Sequence, residues 1–332
     1  MNVISITAGP TEPISKNELF RHLPEFAAQM ALYSLREGVR YDVVHANYWL
    51  SGWAAHLVKR YWGTPFVQMF HTTAHMKNAV AGVQDRETEE RGRIEQQLLT
   101  LADSVIAANP DERADLVWRM GAPNEKVCTI PPGVDLDVFA PRDRAACRAM
   151  LGLRDDEPTV LFCGRVDPIK GIETLLGATA ILQERMTGAP PTVLFIGGNL
   201  DDAGNPIGPL AAVEQQTIDL SIRERFRFLG PQPQNELAAF YSAADVVAVP
   251  SRYESFGLVA VEAMASGAPV VASRVGGLKF TVDEGVSGLL VPWGDADALA
   301  GALGDILTDP ALRADMAANA RPSVERFSWQ SV

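Results

Sequence analysis

A chain of 332 residues with 47% apolar content carries enough hydrophobic material for two ordinary cores. Its formal charge of −12 at pH 7 argues against a general nucleic-acid or anionic-membrane surface, so an anionic ligand has to be held by a local cluster of donors and cations. Cys128, Cys147 and Cys163 lack metal-ligand spacing and read as reduced thiols, no run of about 18 apolar residues occurs, and the opening MNVISITAGP lacks a basic leader; a soluble cytoplasmic protein is expected.

In the first half, short apolar runs alternate with amphipathic stretches. Strands are predicted over residues 3–8, 42–46, 65–70, 104–108 and 126–130. Helices are predicted over 17–36, with Pro24 disturbing the early part, over 51–61 with Ser51 as cap, over 87–101, and over 111–120 up to Gly121. Alternation of this kind implies a parallel sheet covered on both faces, hence a Rossmann-like domain over residues 1–135. The stretch PPGVDLDVFAPRD, residues 131–143, is rich in Pro and Asp without helical periodicity and reads as the connection between domains.

The pattern then restarts. Strands are expected over 159–163, 192–196, 225–229, 246–249, 270–272 and 288–291, and helices over 172–184 and 236–244. A further helix begins near Phe256 and closes at Ser266 and Gly267, and a pair of helices follows from Ala296 onward. The fold class is α/β: two Rossmann-like, doubly wound domains, the second over residues 136–332, facing a cleft at the carboxyl ends of their strands. Tyr48, His71, Arg165 and Glu254 all sit on loops that follow predicted strands and so fall on that cleft.

The chain is organised around residues 246–269, VVAVPSRYESFGLVAVEAMASGAP. A strand, a tight loop and a helix set the N–H groups of Ser255, Phe256, Gly257 and Leu258 at the positive end of a helix dipole, which makes a cradle for phosphate. Glu262 follows Glu254 by eight residues, about two turns into the helix, where an acid can accept from ribose hydroxyls. The plain alternative is a βα unit in which Glu254 caps and Glu262 is solvated. In LFCGRVDPIKG, residues 161–171, Arg165 and Lys170 follow a strand on a loop that Gly164 and Gly171 let bend tightly. Two cations converging on a diphosphate would neutralise the charge growing on a leaving group. Lys170 precedes Gly171 and Ile172 follows, so the Gly-Lys-Ser/Thr order of a Walker loop is not met.

ESFGLVAVEAMASGAPVVAS resembles the donor-site signature of the retaining GT-B glycosyltransferases of family 4 (group 1), and LFCGRVDPIKG is similar to the same family's Arg and Lys pair. The resemblance covers nearly the whole chain. It implies transfer of a hexose or N-acetylhexosamine from a UDP-sugar, with no required cofactor and no indication of Mg. It also implies Glu262 on the nucleotide ribose, Glu254 on sugar hydroxyls, the amides from Ser255 to Leu258 on phosphates and sugar, and Arg165 and Lys170 on the diphosphate. Carboxylates are acceptors only when ionised, so both acids suit hydroxyls and would repel phosphate. GPQPQ after Leu229 would line the base pocket, with Gln232 as a candidate, and His71 in QMFHTTAHMKN would face the transferred sugar. His71 and His75 do not form a zinc-protease pair, because Thr72 stands where Glu is required.

On the acceptor side, Lys16 in PISKNEL, Tyr48 in HANYWLSG and Thr72 in HTTAH resemble the phosphate pocket of the inositol-phosphate glycosyltransferase branch. The family adds an Arg near the start of the next helix, for which Arg91 and Arg93 both qualify. The implied acceptor is a small phosphorylated polyol or sugar; sucrose-phosphate synthases share much of the pattern and would take a phosphorylated hexose. Set against the family, both ends read as short. The chain opens at a later strand without the first glycine-rich loop, which would impair turnover, and FSWQSV, residues 327–332, reads as the start of a crossing helix. A non-catalytic or truncated nucleotide-sugar-binding protein is the alternative reading. A nicotinamide oxidoreductase is disfavoured, since no G-x-G-x-x-G opens a strand-helix unit. Donor base, sugar, acceptor and oligomeric state, a homodimer included, are left open by the residues.

Overall fold

The computed structural model describes residues 2–15, 18–80 and 86–332 and divides into two compact units, Met1–Ile130 and Pro131–Val332. Each unit is a parallel sheet with helices.

In the first unit, β1 (Val44–Asn47), β2 (Phe66–Met69), β3 (Ser104–Ala107) and β4 (Val127–Thr129) pair in that order, all parallel. Phe66, Phe70, Leu98, Leu99, Val105 and Leu116 are buried together in its core. Helix Leu23–Glu37 takes Pro24 in its first turn, where a missing N–H leaves no hydrogen bond unmade, and ends at Gly38. Helix Trp49–Trp62 opens at Tyr48, earlier than expected, so Ser51 lies inside it and is not its cap. Thr88 caps helix Glu89–Leu101 by accepting from the Arg91 N–H at 3.2 Å. Residues 3–8 form no strand, against expectation: they pair with no neighbour, and Val3 stays 85% exposed. A strand without a partner has no ladder to stabilise it.

The second unit contains β5 (Thr159–Cys163), β6 (Thr192–Ile196), β7 (Asn199–Leu200), β8 (Pro206–Ile207), β9 (Phe226–Gly230), β10 (Val246–Val249), β11 (Val270–Ser273) and β12 (Gly288–Val291). β7 and β8 form a small antiparallel hairpin that the apolar pattern did not announce. The other six make one parallel sheet, β12-β11-β10-β5-β6-β9. The chain fills one side of β5 first and then crosses to β10 and continues to the other edge. Helices Ile172–Arg185 and Ala296–Thr308 pack over this sheet through Leu175, Leu176, Leu299 and Leu303, all almost fully buried. Helices Arg144–Met150 and Pro209–Asp219 went unpredicted.

The connecting stretch and the last residues hold each other. The Val134 N–H donates to the Phe327 carbonyl at 2.7 Å, Val134 bridges to Ser328, and Arg321 donates to the carbonyls of Leu136 and Phe139. The expected helix over residues 327–332 is not formed: Phe327 ends a short 3-10 turn, Glu325–Phe327, residues 328–332 follow without a helix, and the Trp329 ring lies directly against Gly133.

Candidate active site

The strand order creates a crevice in the second unit. β5 and β10 are neighbours whose chains run on to opposite sides of the sheet, and ligands of doubly wound sheets bind in the crevice at such a reversal. The loop after β5 carries Arg165 and, through the turn Pro168–Lys170, Lys170; the loop after β10 carries Glu254. Gly171 has φ +67°, and a Cβ there would lie 1.9 Å from the Pro250 carbonyl oxygen. Only glycine lets the two loops approach this closely. The Arg252 N–H donates to Ile169 O at 2.8 Å and completes the seam.

Across that seam Lys170 forms an ion pair with Glu254, their side chains 19% and 15% exposed. The Ser251 hydroxyl donates to the same Glu254 oxygen at 3.1 Å. The Glu254 carbonyl accepts from the Gly277 N–H at 2.8 Å, which fixes the acid's backbone from the other side. Arg165 does not join the pair: its side chain is 79% exposed and its nearest carboxylate is Asp167 at 3.8 Å. Gln232 folds its amide onto the Leu229 carbonyl at 2.7 Å, within its own loop.

The helix after Glu254 is Leu258–Ala265, opened by Gly257 at φ +91°, two residues later than expected. The Phe256 side chain is only 5% exposed and meets Phe327 edge to face at 5.1 Å, which draws it out of the helix and into the core. Any ligand contact from Phe256 is thus left to its backbone. Glu262, further along the helix, accepts from the Tyr241 hydroxyl at 3.1 Å. Burial pushes its carboxyl up to about 7, against the hydrogen bonds from Tyr241 and Gln234 that favour the ionised form. Burial likewise pushes the Cys163 thiol, at the end of β5, up to about 11. Tyr241 and Ser251 were not among the residues picked out by sequence. A fully buried phenol has to find a partner for its hydroxyl, which is the signal that could have found Tyr241.

In the first unit, two non-glycine residues at the ends of β1 and β2 have left-handed backbone, Tyr48 at φ +76° and His71 at φ +62°. Such a conformation costs of order 1 kcal/mol and persists where surrounding contacts impose it. The Tyr48 N–H donates to Met69 O at 2.8 Å, and His71 Nε2 lies 2.8 Å from Asn47 Oδ1, so the two loops are stitched together. Partial desolvation of the His71 ring, with His45 nearby as a smaller cause, holds its pKa below the ordinary histidine value. It is mainly neutral at pH 7 and available as a hydrogen-bonding group.

Arg91 and Arg93 differ in burial and partners. Arg91 is 1% exposed; it donates to Glu95 Oε1 at 2.7 Å, Tyr48 OH at 3.0 Å and Thr72 O at 2.7 Å, and its guanidinium lies 4.8 Å over the Tyr48 ring. Glu87 lies 3.1 Å from it and Glu95 accepts in turn from the Ala74 N–H at 2.7 Å. Three of the acceptor-side residues, Tyr48, Thr72 and Arg91, are thereby gathered, with Arg91 facing inward. Arg93 is exposed on the same helix. Lys16 lies outside the described residues.

Comparison with known proteins identifies the family. The family model described as Glycosyl transferases group 1 matches residues 143–323, and the one described as Glycosyltransferase Family 4 matches residues 2–138. The D-inositol 3-phosphate glycosyltransferases of Corynebacterium efficiens and Saccharomonospora viridis are 40% and 42% identical to this chain. These alignments cover 99% and 98% of it, and 78% and 76% of the two relatives. Sucrose-phosphate synthase from Thermosynechococcus elongatus superposes with a TM-score of 0.88 at 39% identity, over 99% of this chain and 79% of its own. Anabaena HepE in complex with UDP-glucose gives 0.76 at 25% identity, over 91% and 78%. The chain therefore belongs to the group 1, family 4 glycosyltransferases and is an α/β enzyme of the GT-B fold.

Proposed function

We propose that the enzyme transfers a hexose or N-acetylhexosamine from a UDP-sugar to a small phosphorylated polyol or sugar, with retention at the anomeric carbon. The observation that carries this is the seam at the sheet reversal, where Lys170, Glu254 and the start of helix Leu258–Ala265 are brought together by two adjacent loops. Amides of the helix's first turn have no intrahelical acceptors and suit the diphosphate, while Glu254 and Glu262 suit sugar and ribose hydroxyls. Lys170, with Arg165 swung in from solvent, balances the charge that grows on the departing UDP. The bond from the anomeric carbon to the diphosphate oxygen breaks as the acceptor oxygen bonds to the same face. The acceptor's proton passes to the leaving phosphate oxygen, so no side-chain base is required.

His71, neutral and held by Asn47, would hydrogen-bond a hydroxyl of the transferred sugar. Tyr48 and Thr72 would receive the acceptor phosphate together with Lys16, and Arg91 keeps the Tyr48 phenol and the Thr72 backbone in place. The relatives named for inositol 3-phosphate and for sucrose phosphate both support an acceptor that carries phosphate.

Calorimetric titration of UDP into the wild type, Lys170→Ala and Glu262→Ala tests the donor half, with saturable binding expected in the first and weaker binding in both variants. Incubation of UDP-glucose and UDP-N-acetylglucosamine with inositol 3-phosphate or fructose 6-phosphate, read by proton NMR at the new anomeric centre, tests the rest. A new α-linked product is expected. UDP binding without turnover would replace this reading with that of a nucleotide-sugar-binding protein, and no UDP binding to folded protein would sink the donor assignment.

A further inference from the structure

Tyr241 has no part in the reading above, yet its hydroxyl is buried and held against Glu262. The residue is 0% exposed on helix Gln234–Ala243, its ring 6.2 Å from that of Phe139, and its hydroxyl is 3.1 Å from Glu262 Oε2. The same phenol hydrogen-bonds Cys163, the last residue of β5 at the crevice. An ionised carboxylate can only accept, so the Tyr241 O–H donates to Glu262. Cys163, Tyr241 and Glu262 thus lie side by side between the sheet end and the helix.

We infer that Tyr241 is a positioning residue for the nucleotide: it holds the Glu262 carboxylate in one orientation, aimed at the vicinal hydroxyls of a bound ribose. The inference rests on Glu262 being the ribose acceptor proposed above. Two further observations support it. Among the described residues no cation pairs with Glu262: Tyr241 and Gln234 from the neighbouring helix are its hydrogen-bond partners. The cations on the other elements packed against its helix are engaged elsewhere. Arg321 is bound to the carbonyls of Ala265, Phe139 and Leu136, Arg313 lies 3.3 Å from Asp245, and Lys279 lies over the Phe280 ring. A carboxylate with so little ionic help, lifted to about 7 by burial, depends on that phenol to stay charged and aligned near neutral pH.

Tyr241→Phe removes one oxygen and keeps the ring packing. The Glu262 carboxylate is followed by carbon-13 NMR across pH without ligand, and UDP affinity is measured by calorimetry across the same range. The expected result is a carboxylate midpoint shifted upward in Tyr241→Phe, UDP binding weaker by about tenfold at pH 7, and a binding profile displaced in the same direction. Cys163→Ala should give a smaller shift of the same sign, and Tyr241→Phe should add little once Glu262→Gln is present. An unchanged midpoint with unchanged UDP affinity, or full additivity of Tyr241→Phe with Glu262→Gln, overturns the inference while the donor site stands. Failure of the folded wild type to bind UDP overturns the donor reading and this inference with it.

Discussion

The two units each bury acids beside a candidate ligand region, and they treat the charge in opposite ways. In the first, Arg91 is enclosed with Glu87 and Glu95, and its remaining donors go to Tyr48 and Thr72. Burial raises the Glu95 pKa while Arg91 opposes the rise. In the second, Glu262 has only neutral hydrogen-bond donors against the same burial, and Lys170 shares one carboxylate at a partly open seam. A charge whose partners are complete builds architecture. One whose partners are incomplete is ready for a ligand, and that contrast separates the positioning role proposed for Arg91 from the ligand-directed roles proposed for Lys170 and Glu262.

The largest effect should come from breaking the closed cluster. Arg91→Met leaves Glu87 and Glu95 without their shared cation and is expected to lower stability by about 3–5 kcal/mol, read from denaturant unfolding. A loss well under that figure would mean the cluster is not closed. Lys170→Ala should do the reverse, with unfolding nearly unchanged and turnover of a UDP-sugar reduced by about 10²–10³, the scale of one preorganised electrostatic contact.

The incompletely paired acid gives a pH signature. Below about 7 the Glu262 carboxyl takes up a proton and loses its capacity to accept from hydroxyls on both oxygens. UDP affinity should therefore fall by up to about tenfold per pH unit below that point, and Glu262→Gln should flatten the profile. Stability moves with the opposite sense. The folded carboxyl binds its proton more tightly than the unfolded one, so the native state holds the extra proton between the ordinary carboxylate range and about 7, and stability declines as pH rises through that window. The smallest effect is expected at Arg93, exposed one residue beyond Gly92: Arg93→Ala should move unfolding by less than about 0.5 kcal/mol, in contrast to Arg91 on the same helix.

The strands were legible where they are mostly buried, since β5, β6, β10 and β12 coincide with apolar runs that need no tertiary information to read. What was hidden depended on contacts distant in sequence. The start of helix Leu258–Ala265 is set by Phe256 meeting Phe327, and the loss of a strand over residues 3–8 by the absence of a paired neighbour. Lys170 and Glu254 were visible as a cation and an acid on two loops, but their ion pair follows from the order of β5 and β10 in the sheet. The choice between Arg91 and Arg93 is a matter of helix rotation, which two charged positions flanking a glycine do not encode. Tyr241 lies in a helix that the apolar pattern does predict, but the side chain's importance shows only once Glu262 is seen beside it.

The contact of Gly171 with the Pro250 carbonyl has a practical consequence for anyone altering this site. Because main chain meets main chain there, the spacing of the two loops is a steric dimension that does not depend on the ion pair above it. Side chains at 165, 251 and 254 can then be varied in a combinatorial library with the frame held constant, so that changes in sugar preference report on the residues exchanged. Position 171 is the one in that loop to leave untouched.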